Sequence, residues 1–248
     1  RVYGMLCVPV KPGKYPALLR VPGAGVRGYA GAIVEAEKGM ITLEIGIHGI
    51  PVTLEPSVYA SLSQGGLYRY QYQNCDNRDE VYYKRVYMGC VRAVDYLCSM
   101  KEFDGSNLLV QGGSQGGALA IVTAVLNPRV TGVVSFIPAL SDLRGYEKGR
   151  AGGWPHLFRD STDAVEIRKK KLDVSSYYDV ANFAKQLKVP VFFYLGYNDM
   201  VCPPTSTFSV YNVITSPKEI VIMEEAEHYV YPEHWSQALQ WIYSKQGM

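Results

Sequence analysis

The chain has 248 residues, of which 48% are hydrophobic and 19% charged, so a sizeable core is available and global disorder is excluded. Lys plus Arg is 25 and Asp plus Glu is 23, a net charge of +2 that leaves no electrostatic footprint for nucleic acid. No apolar run reaches the roughly 18 residues that span a bilayer, so no membrane span is expected.

Apolar runs and helical patterns alternate along the chain. Strands are predicted at Val2–Val10, Ala17–Val21 and Ile41–Ile47. The segment Gln64–Asp79 is polar and loop-like. A helix follows over Asp79–Met100, where Tyr83, Tyr87, Cys90, Val94 and Leu97 form one apolar stripe at spacings of three and four. Next come a strand at Asn107–Gln111, a helix at Gln115–Leu126 and a strand at Val130–Ile137. The segment Pro138–Ser176 reads as irregular, with Gly145, Gly149, Gly152, Gly153 and a Trp154-Pro155 pair. It is expected to leave the sheet and roof a site, its charged run Arg168–Lys171 forming a solvated helix face. The chain closes with a helix at Val180–Gln186, a strand at Val189–Leu195, a helix at Thr205–Val213, a strand at Lys218–Met223 and a helix at Glu233–Tyr243. This alternation predicts an α/β protein with a mostly parallel central sheet and helices on both faces.

The five cysteines are too few and too scattered for a disulfide framework. There is no CxxC pair, and the four histidines lack metal-ligand spacing, so neither a metal nor a cofactor is expected. The 20 tyrosines suit packing and also sugar stacking. Arg1 is not an initiator Met, and no signal-peptide pattern follows it. The compartment stays open: cytoplasm, or periplasm and beyond if a leader preceded Arg1.

The strongest chemical signal is Gly112-Gly113-Ser114-Gln115-Gly116-Gly117, a G-x-S-x-G pattern between a predicted strand and a predicted helix. That context makes Ser114 a nucleophile on a tight turn, with Gly112 and Gly116 removing Cβ atoms that would collide there. A Walker lysine is absent, which argues against a phosphate loop. The base is expected downstream, at His156, His228 or His234. His228 follows the strand Lys218–Met223, at the end of the sheet where sites lie, and is preferred. His234, in the first turn of the last helix, reads as a surface residue. The acid is assigned to Asp199, just past the strand Val189–Leu195, ahead of Glu224, Glu225 and Glu227; the bland alternative is a cap for the helix near Thr205. Cys202 reads as packing. Two oxyanion donors are expected, the N–H of Gln115 and that of Ala24 in the loop Pro22-Gly23-Ala24-Gly25.

Together these residues resemble the acetyl xylan esterases of carbohydrate esterase family seven, which include the cephalosporin-C deacetylases. The likeness runs from Val2 to Trp241. It is sharpest at Gly112–Gly117, at Asp199-Met200-Val201-Cys202-Pro203-Pro204-Thr205 and at Tyr82-Tyr83-Lys84-Arg85-Val86-Tyr87. The resemblance implies an α/β-hydrolase fold over one catalytic domain, 1–248, whose parent has further residues upstream of Arg1. It implies a Ser114–His228–Asp199 triad, with Ala24 standing where the family usually has Tyr. Two departures stand out. His48-Gly49-Ile50 replaces the family's Arg-Gly-Gln, and Tyr229 replaces the Glu after the catalytic His; both positions read as structural tethers.

The resemblance implies a metal-independent serine esterase acting on an acetylated oligosaccharide or another acetyl ester. Because many family members are hexamers, it also admits a homo-oligomer. Two other readings use the same residues. One is a peptidase of the prolyl-oligopeptidase type; the other is a sugar-binding module with a retired hydrolase fold.

Overall fold

The computed structural model describes residues 1–246. Seven strands form one sheet: β1 (Tyr3–Cys7), β2 (Tyr15–Arg20), β3 (Ile41–Gly46), β4 (Phe103–Gly113), β5 (Gly132–Phe136), β6 (Val191–Gly196) and β7 (Lys218–Met223). Their spatial order is β1-β3-β2-β4-β5-β6-β7. Only β1 runs antiparallel, beside β3; every other neighbouring pair is parallel. All seven predicted strands are present, with β1 shorter than Val2–Val10.

Strand alternation divides the core in two. Ala17, Leu19, Leu108, Val110, Val133, Val191 and Phe193 face one layer. Leu18, Leu109, Val134, Phe192 and Tyr194 face the other. The first layer is covered by α3 (Tyr82–Ser99), α4 (Gln115–Leu126) and α6 (Val180–Ala184), introduced here with α1 (Ile33–Glu37), α2 (Pro56–Gln64), α5 (Val165–Tyr178), α7 (Pro204–Tyr211) and α8 (Pro232–Gln246). The second is covered by Ala238, Trp241 and Ile242 of α8. Ten of the twelve residues of α4 are buried, so this helix is apolar all round and lies inside the protein rather than on it. The predicted stripe on α3 is buried as expected, with Cys90, Val94 and Leu97 fully inaccessible.

Three differences from the sequence expectation are physical. The helices α1 and α2 bury a single residue each, Ala36 and Tyr59, so they carry almost no periodic signal. The segment 138–176 is irregular only in its first part; its last third is α5, which buries just Val174 and Ser175. Ion pairs of Lys171 with Asp163 and of Arg168 with Glu147 tie its charged face down, so the run is not simply solvated. The polar stretch before α3 contains a 3₁₀ turn, Tyr70–Tyr72, whose Tyr70 is buried. Among the described residues no helix is long and apolar enough to cross a membrane.

Candidate active site

The parallel strands bring their C-terminal ends to one edge, where loops after β2, β4, β6 and β7 meet. Ser114 directly follows β4 with φ +56° and ψ −120°, a conformation that L-residues avoid and that a strand-to-helix nucleophile turn requires. Its backbone is fixed on both sides. Ser114 N–H donates to Phe136 O at 2.9 Å, and Ser114 O accepts from Ala139 N at 3.0 Å. The turn closes only because Gly112 and Gly116 touch: a Cβ on Gly112 would stand 2.4 Å from the carbonyl carbon of Gly116.

Ser114, His228 and Asp199 come together in one hydrogen-bonded chain. His228 Nε2 lies 2.9 Å from Ser114 Oγ, and Nδ1 lies 2.7 Å from Asp199 Oδ2. Asp199 is fully buried, while the His228 side chain keeps 25% exposure towards solvent. A carboxylate can only accept, so Nδ1 carries the ring proton and Nε2 is left to accept from the serine hydroxyl. The second carboxylate oxygen, Oδ1, accepts from Val201 N and Cys202 N, both at 2.8 Å. Asp199 therefore shapes its own turn and orients His228; it does not cap α7, which starts at Pro204 behind Pro203.

The competing histidines lie elsewhere. His156 bonds Tyr146 Oη at 2.8 Å and Gly152 O at 3.1 Å. His234 is half-buried rather than on the surface, packed edge-on against Tyr194. Cys202 is fully buried, and burial pushes its thiol well above the usual range, which keeps it unreactive. Atoms of Asp199, Cys202 and His228 lie within 4.8 Å of one another, the spacing of metal ligands. Two of those three groups are already committed to each other by the His228–Asp199 hydrogen bond.

The loop after β2 is held by a network that residue spacing does not reveal. The fully buried Gln115 side chain is its hub. Gln115 Oε1 accepts from Tyr70 Oη at 2.9 Å and Tyr83 Oη at 3.0 Å, while Nε2 donates to Pro22 O at 3.3 Å and Gly23 O at 3.4 Å. Tyr70 Oη also accepts the Gly25 N–H at 3.3 Å. On the other side of the loop, His48 Nε2 donates to Gly25 O at 2.8 Å. Its Nδ1 accepts from Tyr82 Oη at 2.7 Å, and that hydroxyl in turn accepts from Arg85 at 2.9 Å. Burial holds the phenol of Tyr70 up at about 12, so it remains a proton donor. With these partners taken, the N–H groups of Ala24 and Gln115 have no acceptor among the described residues. The Gln115 N–H is free because the first turn of a helix has no internal acceptors.

Of these network residues, Tyr82 and Tyr83 stand in the motif that carries the resemblance, and His48 stands at one of its departures. Tyr70 carried no signal.

The family model described as acetyl xylan esterase (AXE1) matches residues 1–245. Acetyl esterase Axe7A of Xylanibacter ruminicola is 43% identical over 246 residues, covering 97% of this chain and 55% of that protein. The chain thus spans about half the length of that relative. The acetyl xylan esterase from Paenibacillus sp. R4 has a TM-score of 0.83 at 30% identity, over 98% of this chain and 79% of its own. Acetyl xylan esterase 1 from Thermoanaerobacterium sp. JW/SL YS485 has a TM-score of 0.78 at 25% identity, over 97% and 78%. The expected α/β-hydrolase architecture is the one shared with these structures.

Proposed function

The chain belongs to the acetyl xylan esterase family, and from that premise we propose that it is a serine esterase removing acetyl groups from carbohydrate hydroxyls. The observation that carries this reading is the unbroken Ser114–His228–Asp199 hydrogen-bond chain at the mouth of the sheet. In the proposed reaction His228 Nε2 takes the proton of Ser114 as Oγ attacks the acetyl carbonyl. Asp199 holds the ring in the required tautomer and stabilises the imidazolium. The carbonyl oxygen becomes an oxyanion beside the free N–H groups of Ala24 and Gln115, each such donor contributing about a hundred- to a thousandfold in rate. His228 then returns the proton to the departing sugar oxygen. Water, deprotonated by the same imidazole, attacks the acetyl-serine and releases acetate.

The test is acetate release from acetylated xylo-oligosaccharides and from 4-nitrophenyl acetate, with Ser114→Ala as the control. Release from both, abolished in the variant, supports a carbohydrate deacetylase. Release from the nitrophenyl ester alone keeps the serine chemistry and removes the carbohydrate. Cleavage of a peptide anilide with no acetylesterase activity would favour the peptidase reading. A Ser114 that resists fluorophosphonate labelling would point to a retired binding module.

A further inference from the structure

Arg27 is exposed, yet its guanidinium makes no ion pair among the described residues. It is spent instead on the backbone of the loop after β2. Nη1 donates to Ala24 O at 2.8 Å, and Nη2 donates to Gly23 O at 3.4 Å. The fork is seated where a side chain is missing. Gly25 has φ +126°, and a Cβ there would stand 2.6 Å from Arg27 Nη1.

The two carbonyls belong to the two peptide groups that flank the Cα of Ala24. The first peptide joins Gly23 to Ala24. Its oxygen accepts from Arg27 and from Gln115 Nε2, each at 3.4 Å, and its N–H is that of Ala24, without an acceptor among the described residues. The second peptide joins Ala24 to Gly25. Its oxygen accepts from Arg27, and its N–H donates to Tyr70 Oη at 3.3 Å. Every polar group of the two peptides is therefore held except the Ala24 N–H. A peptide group is planar and turns as a unit, so holding its oxygen sets the direction of its N–H. A bond accepted at the oxygen also polarises the peptide and makes its N–H a stronger donor, more so when the partner is a cation. Arginine keeps its charge throughout the neutral range, so this effect does not titrate away.

We propose that Arg27 is a positioning residue for the reaction: its guanidinium aims and polarises the Ala24 N–H for the oxyanion formed at Ser114, acting through the loop backbone rather than on the substrate. The proposal rests on the serine esterase reading and concerns the same site.

Arg27→Ala, assayed on 4-nitrophenyl acetate, tests it. The side chain is exposed, so its loss leaves no buried hole, and the vacated space opens into a cavity of about 330 Å³ lined also by Gly23, Gly113 and Trp235. The expected result is a fall in kcat of about tenfold with KM within about twofold, because the contact matters only once charge develops on the carbonyl oxygen. Guanidinium chloride far below denaturing concentration should restore part of that kcat by entering the vacated space. Sodium chloride at the same concentration should not, and neither salt should raise the wild-type rate. A wild-type kcat in Arg27→Ala would overturn the proposal and leave the esterase reading standing. A loss carried by KM would overturn it too, since it would make Arg27 a substrate contact. So would a fall in kcat that guanidinium does not relieve, because it would mark a general distortion of the loop. A wild-type protein inert towards both 4-nitrophenyl acetate and a fluorophosphonate would overturn the esterase reading itself, and this proposal with it.

Discussion

His48 Nε2 donates to the carbonyl of Gly25 at 2.8 Å, which ties the loop after β2 to the long helix α3 through Tyr82 and Arg85. In the proposed reaction the neighbouring N–H of Ala24 serves as an oxyanion donor, and it can do so only if this loop stays in place. Replacing the imidazole by a methyl group releases Gly25 O and leaves Tyr82 Oη without its acceptor. His48→Ala is therefore expected to lower kcat for 4-nitrophenyl acetate by about 10- to 100-fold, with a smaller change in KM. Steady-state kinetics on the folded variant check this, and a wild-type kcat would detach His48 from the reaction.

The same residue makes stability depend on pH. Around its ring stand Tyr82 and Arg85 of α3, Tyr70 of the 3₁₀ turn and Arg27 of the β2 loop. Burial above all holds the His48 pKa below the usual 6.5; the Gly25 carbonyl pulls upward, and Arg85 and Arg27 push further down. The unfolded chain thus binds this proton first as pH falls. The stabilisation is complete above 6.5 and is lost as pH drops through 6.5 towards the folded-state value. Urea melts between about pH 8 and pH 5 should show a steeper loss in the wild type than in His48→Gln. His156, shifted in the same direction, contributes equally to both proteins. Equal slopes would contradict the argument.

Asp199 has no freedom to be replaced by a look-alike. Asp199→Asn keeps the side-chain shape, but an amide N–H facing His228 forces the ring proton onto Nε2, where it can no longer accept from Ser114. The expected fall in kcat is about 10³- to 10⁴-fold. Fluorophosphonate labelling of Ser114 should slow in parallel, since both need the activated hydroxyl. Labelling at the wild-type rate would sink the assignment of Asp199 as the orienting acid.

How much of this could be read from residues alone follows from what each feature buries. The helix α4 and the strand β7 begin and end where the apolar pattern does, because both are flanked by turn residues or charge. Ser114 was legible because its turn needs glycines at fixed offsets, and those glycines are visible in one dimension. The helices α1 and α2 were not, because a helix that buries one residue leaves no stripe, and α5, which buries two, was legible only as a charged helix face at Arg168–Lys171 and not in its bounds. Tyr70 and His48 act through hydrogen bonds to residues 45 and 23 positions away. Such contacts exist only once β2, β3 and α3 have packed, and no local spacing encodes them.

Gln115 offers a test of the hub itself. Its carboxamide satisfies two buried tyrosine hydroxyls and two loop carbonyls at once. Gln115→Ala leaves several of those groups buried without partners, at a cost of about 1–3 kcal/mol for each one that water cannot reach. Tyr83→Phe removes a donor but leaves Gln115 Oε1 bonded to Tyr70, so its cost should be only about 1 kcal/mol. Denaturant titration should rank the two in that order. A Tyr83→Phe variant as unstable as Gln115→Ala would show that the hub is not where the energy lies.

Gly196, the last residue of β6, sets the distance between the acid loop and the histidine loop. A Cβ there would stand 2.2 Å from Glu227 O and 2.8 Å from Ala226 O, both backbone atoms of the turn that carries His228. The same turn is stitched to the acid loop by Asn198 N donating to Ala226 O at 3.0 Å. Alanine at 196 must therefore push Glu227 outward, and His228 moves with it, away from Ser114 Oγ. A displacement on the order of 1 Å at the reacting groups costs about 100-fold in rate. The accompanying overpacking should cost about 1–3 kcal/mol of stability, leaving a folded protein on which kcat can be measured. Gly66→Ala, whose Cβ meets nothing within 4 Å, is the matched control and should behave as wild type. If folded Gly196→Ala turned over 4-nitrophenyl acetate at the wild-type rate, the two loops would not need this contact to hold His228 between Asp199 and Ser114.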